Sequence, residues 1–199
     1  MLNTLWLFVI KFKFKNLLPI VGFTLFNSCI ITNTPGFYSG YKRLSADYKN
    51  KILIINDADS LQVSNDSITY AITAKHLMHL LKKSPKSIVY FWSPNCSGNA
   101  CIAITSFQNY CMSNGYNPII ITEYYDFNML SIQGVNPSSV FAINHWHYGT
   151  DYCNTYFRRF KESLFNTELN KNSYSSYLYY NGQEISTVKP ANLTKYPWQ

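Results

Sequence analysis

The reactive chemistry open to this chain sits mainly on its cysteines, at positions 29, 96, 101, 111 and 153. A thiolate is both a nucleophile and a soft metal ligand, so neighbouring cysteines suit disulfide exchange or metal binding. The nearest two in sequence lie in Cys96-Ser97-Gly98-Asn99-Ala100-Cys101, with a turn-forming stretch between them. Histidines stand at 76, 79, 145 and 147. His76 and His79 fall three apart on a predicted helix with no third ligand in view, and read as solvated helix-face residues. Paired carboxylates, a Ser-His-Asp spacing and a phosphate-type glycine loop are all missing; the eight glycines do not cluster.

The elements that must position these groups follow from hydrophobic periodicity. Ser87–Trp92 is an apolar run without polar alternation, which predicts a strand buried on both faces. A helix over Ala100–Asn114 would place Ala103, Phe107, Tyr110 and Cys111 on one stripe, with Gly115 as its C-terminal cap. Cys111 on that stripe reads as core packing. Asn117–Thr122 predicts a second buried strand, so the three elements form a right-handed β-α-β unit with a parallel pair. Upstream, Ile52–Ile55 predicts a strand or packed entry segment, and Thr73–Lys83 a helix stopped by Pro85. Downstream, Ser139–Ile143 and Ser176–Tyr180 read as strands, the latter turning at Asn181-Gly182 into Gln183-Glu184-Ile185. Between them, Tyr148–Ser173 carries Tyr152, Tyr156, Phe157, Phe160 and Leu164 at helical intervals and predicts an inserted helix.

With 199 residues, 47% hydrophobic and 14% charged, the chain has material for one core of ordinary size. Its +7 net charge includes Lys11, Lys13 and Lys15, and without these three it is 14 basic against 10 acidic residues. No basic block remains of the kind that binds nucleic acid, so no nucleic-acid partner is expected. The three lysines precede Leu17–Phe26, an apolar stretch of signal-peptide length and too short for a membrane span. The stretch ends at Asn27-Ser28-Cys29, which resembles the lipobox of bacterial lipoproteins of the Bacteroidetes type. The resemblance implies that residues 1–29 are a signal segment, that Cys29 is lipidated, and that the rest is extracytoplasmic and anchored to a bacterial membrane. Residues 30–51, rich in Thr, Asn, Gly, Ser and Tyr, read as a tether holding residues 52–199 clear of the bilayer.

Strand, helix, strand, helix or turn and a final antiparallel hairpin is the order of the thioredoxin-like family, and residues support the likeness. Val89-Tyr90-Phe91-Trp92-Ser93-Pro94-Asn95-Cys96 resembles the strand end and active-site turn of that family. Asn136-Pro137-Ser138-Ser139-Val140-Phe141 resembles its cis-proline segment, and Tyr179–Glu184 its last hairpin. The resemblance covers roughly residues 70–190, with 148–173 as an insertion. It implies an α/β fold, a three-layer sandwich with a mixed central sheet flanked by helices. It also implies disulfide exchange with protein thiols or disulfides, without a cofactor. In that scheme Cys96 is the nucleophile at a helix N-terminus, Cys101 resolves, Trp92 shields the site and Pro137 belongs to the substrate loop.

The sequence departs from the family in spacing, because the redox motif has two residues between its cysteines. In one continuous helix the spacing here gives a rise of about 7.5 Å and a rotation of about 140°, beyond the Cα limit of about 7 Å. A Cys96–Cys101 disulfide therefore requires Ser97-Gly98-Asn99 to loop, with the helix starting about two residues late and Cys101 in its first turn. Two other readings stand beside exchange. The domain is a non-catalytic binding protein with a static bridge, its insertion presenting Tyr148, Tyr152, Tyr156, Arg158, Arg159 and Lys161 to a partner. Alternatively, Cys96, Cys101 and the histidines after the third strand handle copper, as in the Sco-type chaperones that the fold also resembles. Cys153 is the odd thiol of the mature domain.

Overall fold

The computed structural model describes residues 35–56, 67–96, 101–136, 140–166 and 175–188. The signal segment, Cys29 and Pro137 lie outside the described residues. So do the whole of the predicted Ser97-Gly98-Asn99 loop and the last part of the insertion.

Strand β3 (Ser87–Trp92) is buried at every residue, as its unbroken apolar run demands. Its side chains alternate between two cores. Val89 and Phe91 enter one, while Ile88, Tyr90 and Trp92 enter the other. Helix α3 (Ile104–Ser113) crosses over to β4 (Asn117–Thr122), which pairs parallel with β3 from Ser87↔Asn117 to Trp92↔Thr122. The short α4 (Phe127–Ile132) leads to β5 (Phe141–Ile143), parallel to β4 on its far side.

Two strands complete that side of the sheet. β2 (Thr69–Ile72) pairs parallel with β5, and β1 (Ile52–Ile54) forms the edge beside β2. From β2 the chain enters α2 (Ala74–Lys83) and returns to β3. On the other side β6 (Tyr177–Tyr180) pairs antiparallel with β3, and β7 (Ile185–Val188) antiparallel with β6. Among the described residues this is one seven-stranded mixed sheet in the order β1-β2-β5-β4-β3-β6-β7.

Helices α2 and α5 (Cys153–Phe165) cover one face through Leu77, Leu81, Tyr156, Phe160 and Leu164. Helices α3 and α4 cover the other through Ile104, Phe107, Cys111, Phe127 and Leu130. The molecule is thus an α/β fold with helices on both faces of a mixed sheet.

Two expectations need correction. Residues 35–51 are not a free tether from Pro35 onward. Tyr125 donates its N–H to the Ser39 carbonyl at 2.7 Å, and the Ser39 N–H donates to the Asp151 carbonyl at 2.9 Å. Gly40 sits at φ +79°, where a Cβ would stand 2.6 Å from the Tyr125 carbonyl oxygen, so the close approach requires glycine. A short 3-10 turn (Tyr41–Arg43) and α1 (Ala46–Lys49) follow, with Tyr48 stacked on Phe127. The helix expected in the insertion forms as α5, and its stripe supplies much of one core. His76, finally, is buried rather than solvated. Its Nδ1 accepts the Thr73 N–H at 3.0 Å and lies 2.9 Å from the Thr73 hydroxyl, closing the first turn of α2.

The two faces of α5 should differ sharply on substitution. Phe160→Ala, at a fully buried position, is expected to cost about 3–5 kcal/mol in urea unfolding. Arg158→Ala, which removes only the exposed pair with Glu162, is expected to cost under about 0.5 kcal/mol.

Candidate functional site

Parallel strands β3, β4 and β5 deliver their C-terminal ends to one edge of the sheet. There β4 leads into α4 on one face and β5 into α5 on the other. Adjacent strands leaving to opposite faces open a crevice between their ends, the usual ligand position in open α/β sheets. Glu123, Tyr124 and Tyr125 follow β4 there, and Asn144, His145 and Trp146 follow β5.

Beside this crevice, β3 runs into Ser93-Pro94-Asn95-Cys96, and Cys96 is joined to Cys101 by a disulfide with a Cα–Cα distance of 5.8 Å. Cys96 is exposed and Cys101 half-buried. The turn is held from both sides. Cys96 donates its N–H to the Ser93 carbonyl at 3.1 Å. Asn95 donates from its backbone and its side-chain amide to the Tyr124 hydroxyl, at 3.0 and 2.7 Å. On the Cys101 side, the Tyr90 hydroxyl donates to the Ile102 carbonyl at 3.1 Å and accepts the Ile102 N–H at 3.2 Å.

The helix is not where the resemblance puts it. α3 begins at Ile104, beyond both cysteines, and the Ile104 N–H donates to Gln133 Oε1 at 3.3 Å. Neither cysteine therefore sits at the N-terminus of α3, where a helix stabilises a thiolate, and Cys101 precedes its first turn instead of lying in it. Trp92 is a buried core residue. Its carbonyl accepts the Glu123 N–H at 2.9 Å. By register the start of β5 at Phe141 lies level with Ile121 and Phe91, with β4 between it and β3, and Pro137 itself is outside the described residues. The backbone beside the end of β3 belongs instead to the entry of β6, where Ser176 accepts the Phe91 N–H at 2.8 Å.

Two charged groups, Lys161 on α5 and Glu123 after β4, are withdrawn from solvent and influence each other electrostatically. Lys161, 1% exposed, donates to the Ser175 carbonyl at 2.6 Å and sits 4.5 and 4.4 Å from the ring centres of Phe91 and Phe157. Burial lowers its pKa to about 8, against the opposing pull of Glu123. Burial raises the Glu123 carboxyl above its usual range, while Ser93 and Lys161 pull it back. The Ser93 that pulls on this carboxyl belongs to the turn that ends at Cys96. The Lys161 signal was present, since it continues the Phe157, Phe160 and Leu164 stripe of α5. Glu123 carries the weaker signal of a carboxylate directly after a buried strand.

The other thiols are inert in this state. Cys111 and Cys153 are buried, and burial pushes both up to about 12. Cys153 Sγ donates to the Glu123 carbonyl at 3.4 Å, and the Tyr156 hydroxyl donates to that same oxygen. His145 is buried with Nε2 3.8 Å from Asp151 Oδ1. Burial lowers its pKa, partly offset by Asp151. Among the described residues, no three of His, Cys, Asp or Glu group as a metal shell, and no helix is long and apolar enough to cross a membrane.

The fold and site define an α/β protein with an accessible disulfide at the C-terminal edge of its central sheet. The chain matches no protein-family model, no curated protein and no solved structure.

The buried pair sets a pH dependence. Below about pH 8, Lys161 is charged in the folded and unfolded chains alike. Between there and the ordinary lysine range, only the unfolded chain holds the proton, so stability rises with pH. From pH 7 to 10 the wild type should gain about 2–3 kcal/mol relative to the Glu123→Gln, Lys161→Met double variant in urea titrations. Parallel curves would contradict the assignment.

Proposed function

We propose that this chain is a thioredoxin-like, lipid-anchored extracytoplasmic protein that exchanges disulfides with other proteins through Cys96 and Cys101. The observation carrying this reading is the disulfide on the turn that ends the central strand, with one sulfur's residue exposed and the other's half-buried. That asymmetry separates an attacked cysteine from a leaving one. A substrate thiolate attacks Cys96 Sγ, the Cys96–Cys101 bond breaks, and Cys101 departs as a thiolate that takes up a proton. A second substrate thiolate then attacks the substrate sulfur of the mixed disulfide and releases Cys96. The substrate dithiol is oxidised to a disulfide and the protein disulfide is reduced to two thiols. With an external dithiol to reduce the protein, the same steps run in reverse.

The sheet order supports the family part of this reading. Its block β5-β4-β3-β6-β7 sets three parallel strands beside an antiparallel hairpin, with the cysteine turn leaving the middle strand. Export and lipidation rest on Leu17–Phe26 and Asn27-Ser28-Cys29. Exported compartments preserve disulfides.

A second reading, a non-catalytic binding protein with a static bridge, is favoured by the start of α3 at Ile104, which leaves neither cysteine at the N-terminus of that helix. An insulin-reduction assay with dithiothreitol separates the two. Exchange predicts that the wild type accelerates precipitation, that Cys96→Ser falls to the uncatalysed background, and that Cys101→Ser accumulates a mixed disulfide. A wild type no faster than background supports the static bridge.

A further inference from the structure

Residues 36–38 build a surface linked through Tyr124 to Asn95, the residue before Cys96. Gly36 lies against the ring of Tyr124, 3.2 Å from a ring carbon to where its Cβ would be, and Tyr124 is the residue whose hydroxyl holds Asn95. The next residue, Phe37, is 49% exposed, and Tyr152 is 48% exposed. Their rings meet edge to face at 5.6 Å, and Tyr38 touches both, at 5.0 Å from Phe37 and 5.1 Å from Tyr152.

This arrangement is held by backbone. Tyr38 and Tyr152 form an antiparallel bridge, and Cys153 donates its N–H to the Phe37 carbonyl at 3.0 Å. Large rings are thus fixed outward on an ordered frame that reaches the cysteine turn through Tyr124. Fixed aromatic rings offer large apolar contact at little entropic cost.

We propose that the Phe37–Tyr38–Tyr152 face is the docking surface for the polypeptide whose cysteine reacts with Cys96, and that it selects chains carrying an aromatic residue near that cysteine. This deepens the exchange reading and rests on it. The occupant follows from continuity: one residue, Tyr124, joins the reactive turn to the aromatic frame, so a chain engaged at Cys96 passes over these rings. The path from Asn95 through Tyr124 to Phe37 is on the order of 10 Å, which an extended chain covers in about three residues. The predicted recognition element is therefore a Phe, Tyr or Trp about three positions from the substrate cysteine, in an extended and hence unfolded segment.

The test uses the full-length oxidised protein and follows reduction of Cys96–Cys101 by three thiols. These are glutathione, a cysteine peptide with Phe three residues from its cysteine, and the same peptide with Ser in place of Phe. The wild type is expected to react about tenfold faster with the Phe peptide than with the Ser peptide. Phe37→Ser with Tyr152→Ser should abolish that preference, while Phe37→Leu with Tyr152→Phe should largely restore it. Met112→Ser, at an exposed site on the far end of α3, should keep it. A wild type without preference, or a double variant that retains it, overturns the proposal. Failure to react even with glutathione removes the exchange reading itself and the proposal with it. If the double variant keeps the peptide preference but loses binding to phosphatidylethanolamine–phosphatidylglycerol vesicles, the face belongs to the bilayer and the proposal is overturned.

Discussion

A lysine ammonium is held inside this domain, and much of the architecture around the cysteine turn is the means of holding it. Taking an unpaired charge out of water costs several kcal/mol, so Lys161 is tolerable only where each side offers compensation. The Ser175 carbonyl accepts its proton, Phe91 and Phe157 present ring faces, and Glu123 supplies opposite charge. These partners come from the entry of β6, from β3, from α5 and from the end of β4. One buried cation therefore ties four elements together just below the segment that carries Cys96. Burial moves both groups away from their ordinary pKa values, and each one's charge draws the other part of the way back.

The remaining geometry follows from parallel pairing. Because β3, β4 and β5 run the same way, their C-terminal residues share one edge. The opposite departures of α4 and α5 open that edge between β4 and β5. Tyr41 packs its ring against Tyr125, His145 and Trp146 at this edge, and His145 Nδ1 and the Tyr125 hydroxyl are buried there without a hydrogen-bond partner among the described residues. The cysteine turn sits next to this crevice, braced by Tyr90 below and Tyr124 beside it. Its disulfide is thus presented by strand ends and tyrosine hydroxyls, whereas the family resemblance implies presentation by a helix N-terminus.

Legibility in the sequence tracked how local the physics was. Ser87–Trp92 declared a central strand because burial on both faces leaves no polar position to break the run. Thr73–Lys83 and the Asn181-Gly182 hairpin were readable because a cap or turn residue fixes them within a few positions. What escaped depended on distant partners. Strand β2 is four residues long and owes its place to β5 and β1. Residues 35–51 look like a spacer by composition, yet the Asp151 and Tyr125 backbones hold them down. Lys161 and His76 were read by residue type as solvent-facing, although both occupy buried positions of otherwise apolar helix faces. The cysteine pairing was anticipated only through the family resemblance, and the start of α3 was misplaced because Gln133, far along the chain, takes the Ile104 N–H.

The central claim is that the Cys96–Cys101 disulfide is an exchanging bond and not a brace, and its reduction potential tests this most directly. Equilibration of the protein in graded thiol–disulfide buffers, read by alkylation and intact mass, gives a two-electron midpoint. The exchange account predicts a value between about −270 and −120 mV, the span of dedicated exchange proteins. A midpoint below about −300 mV, where structural disulfides lie, would contradict it.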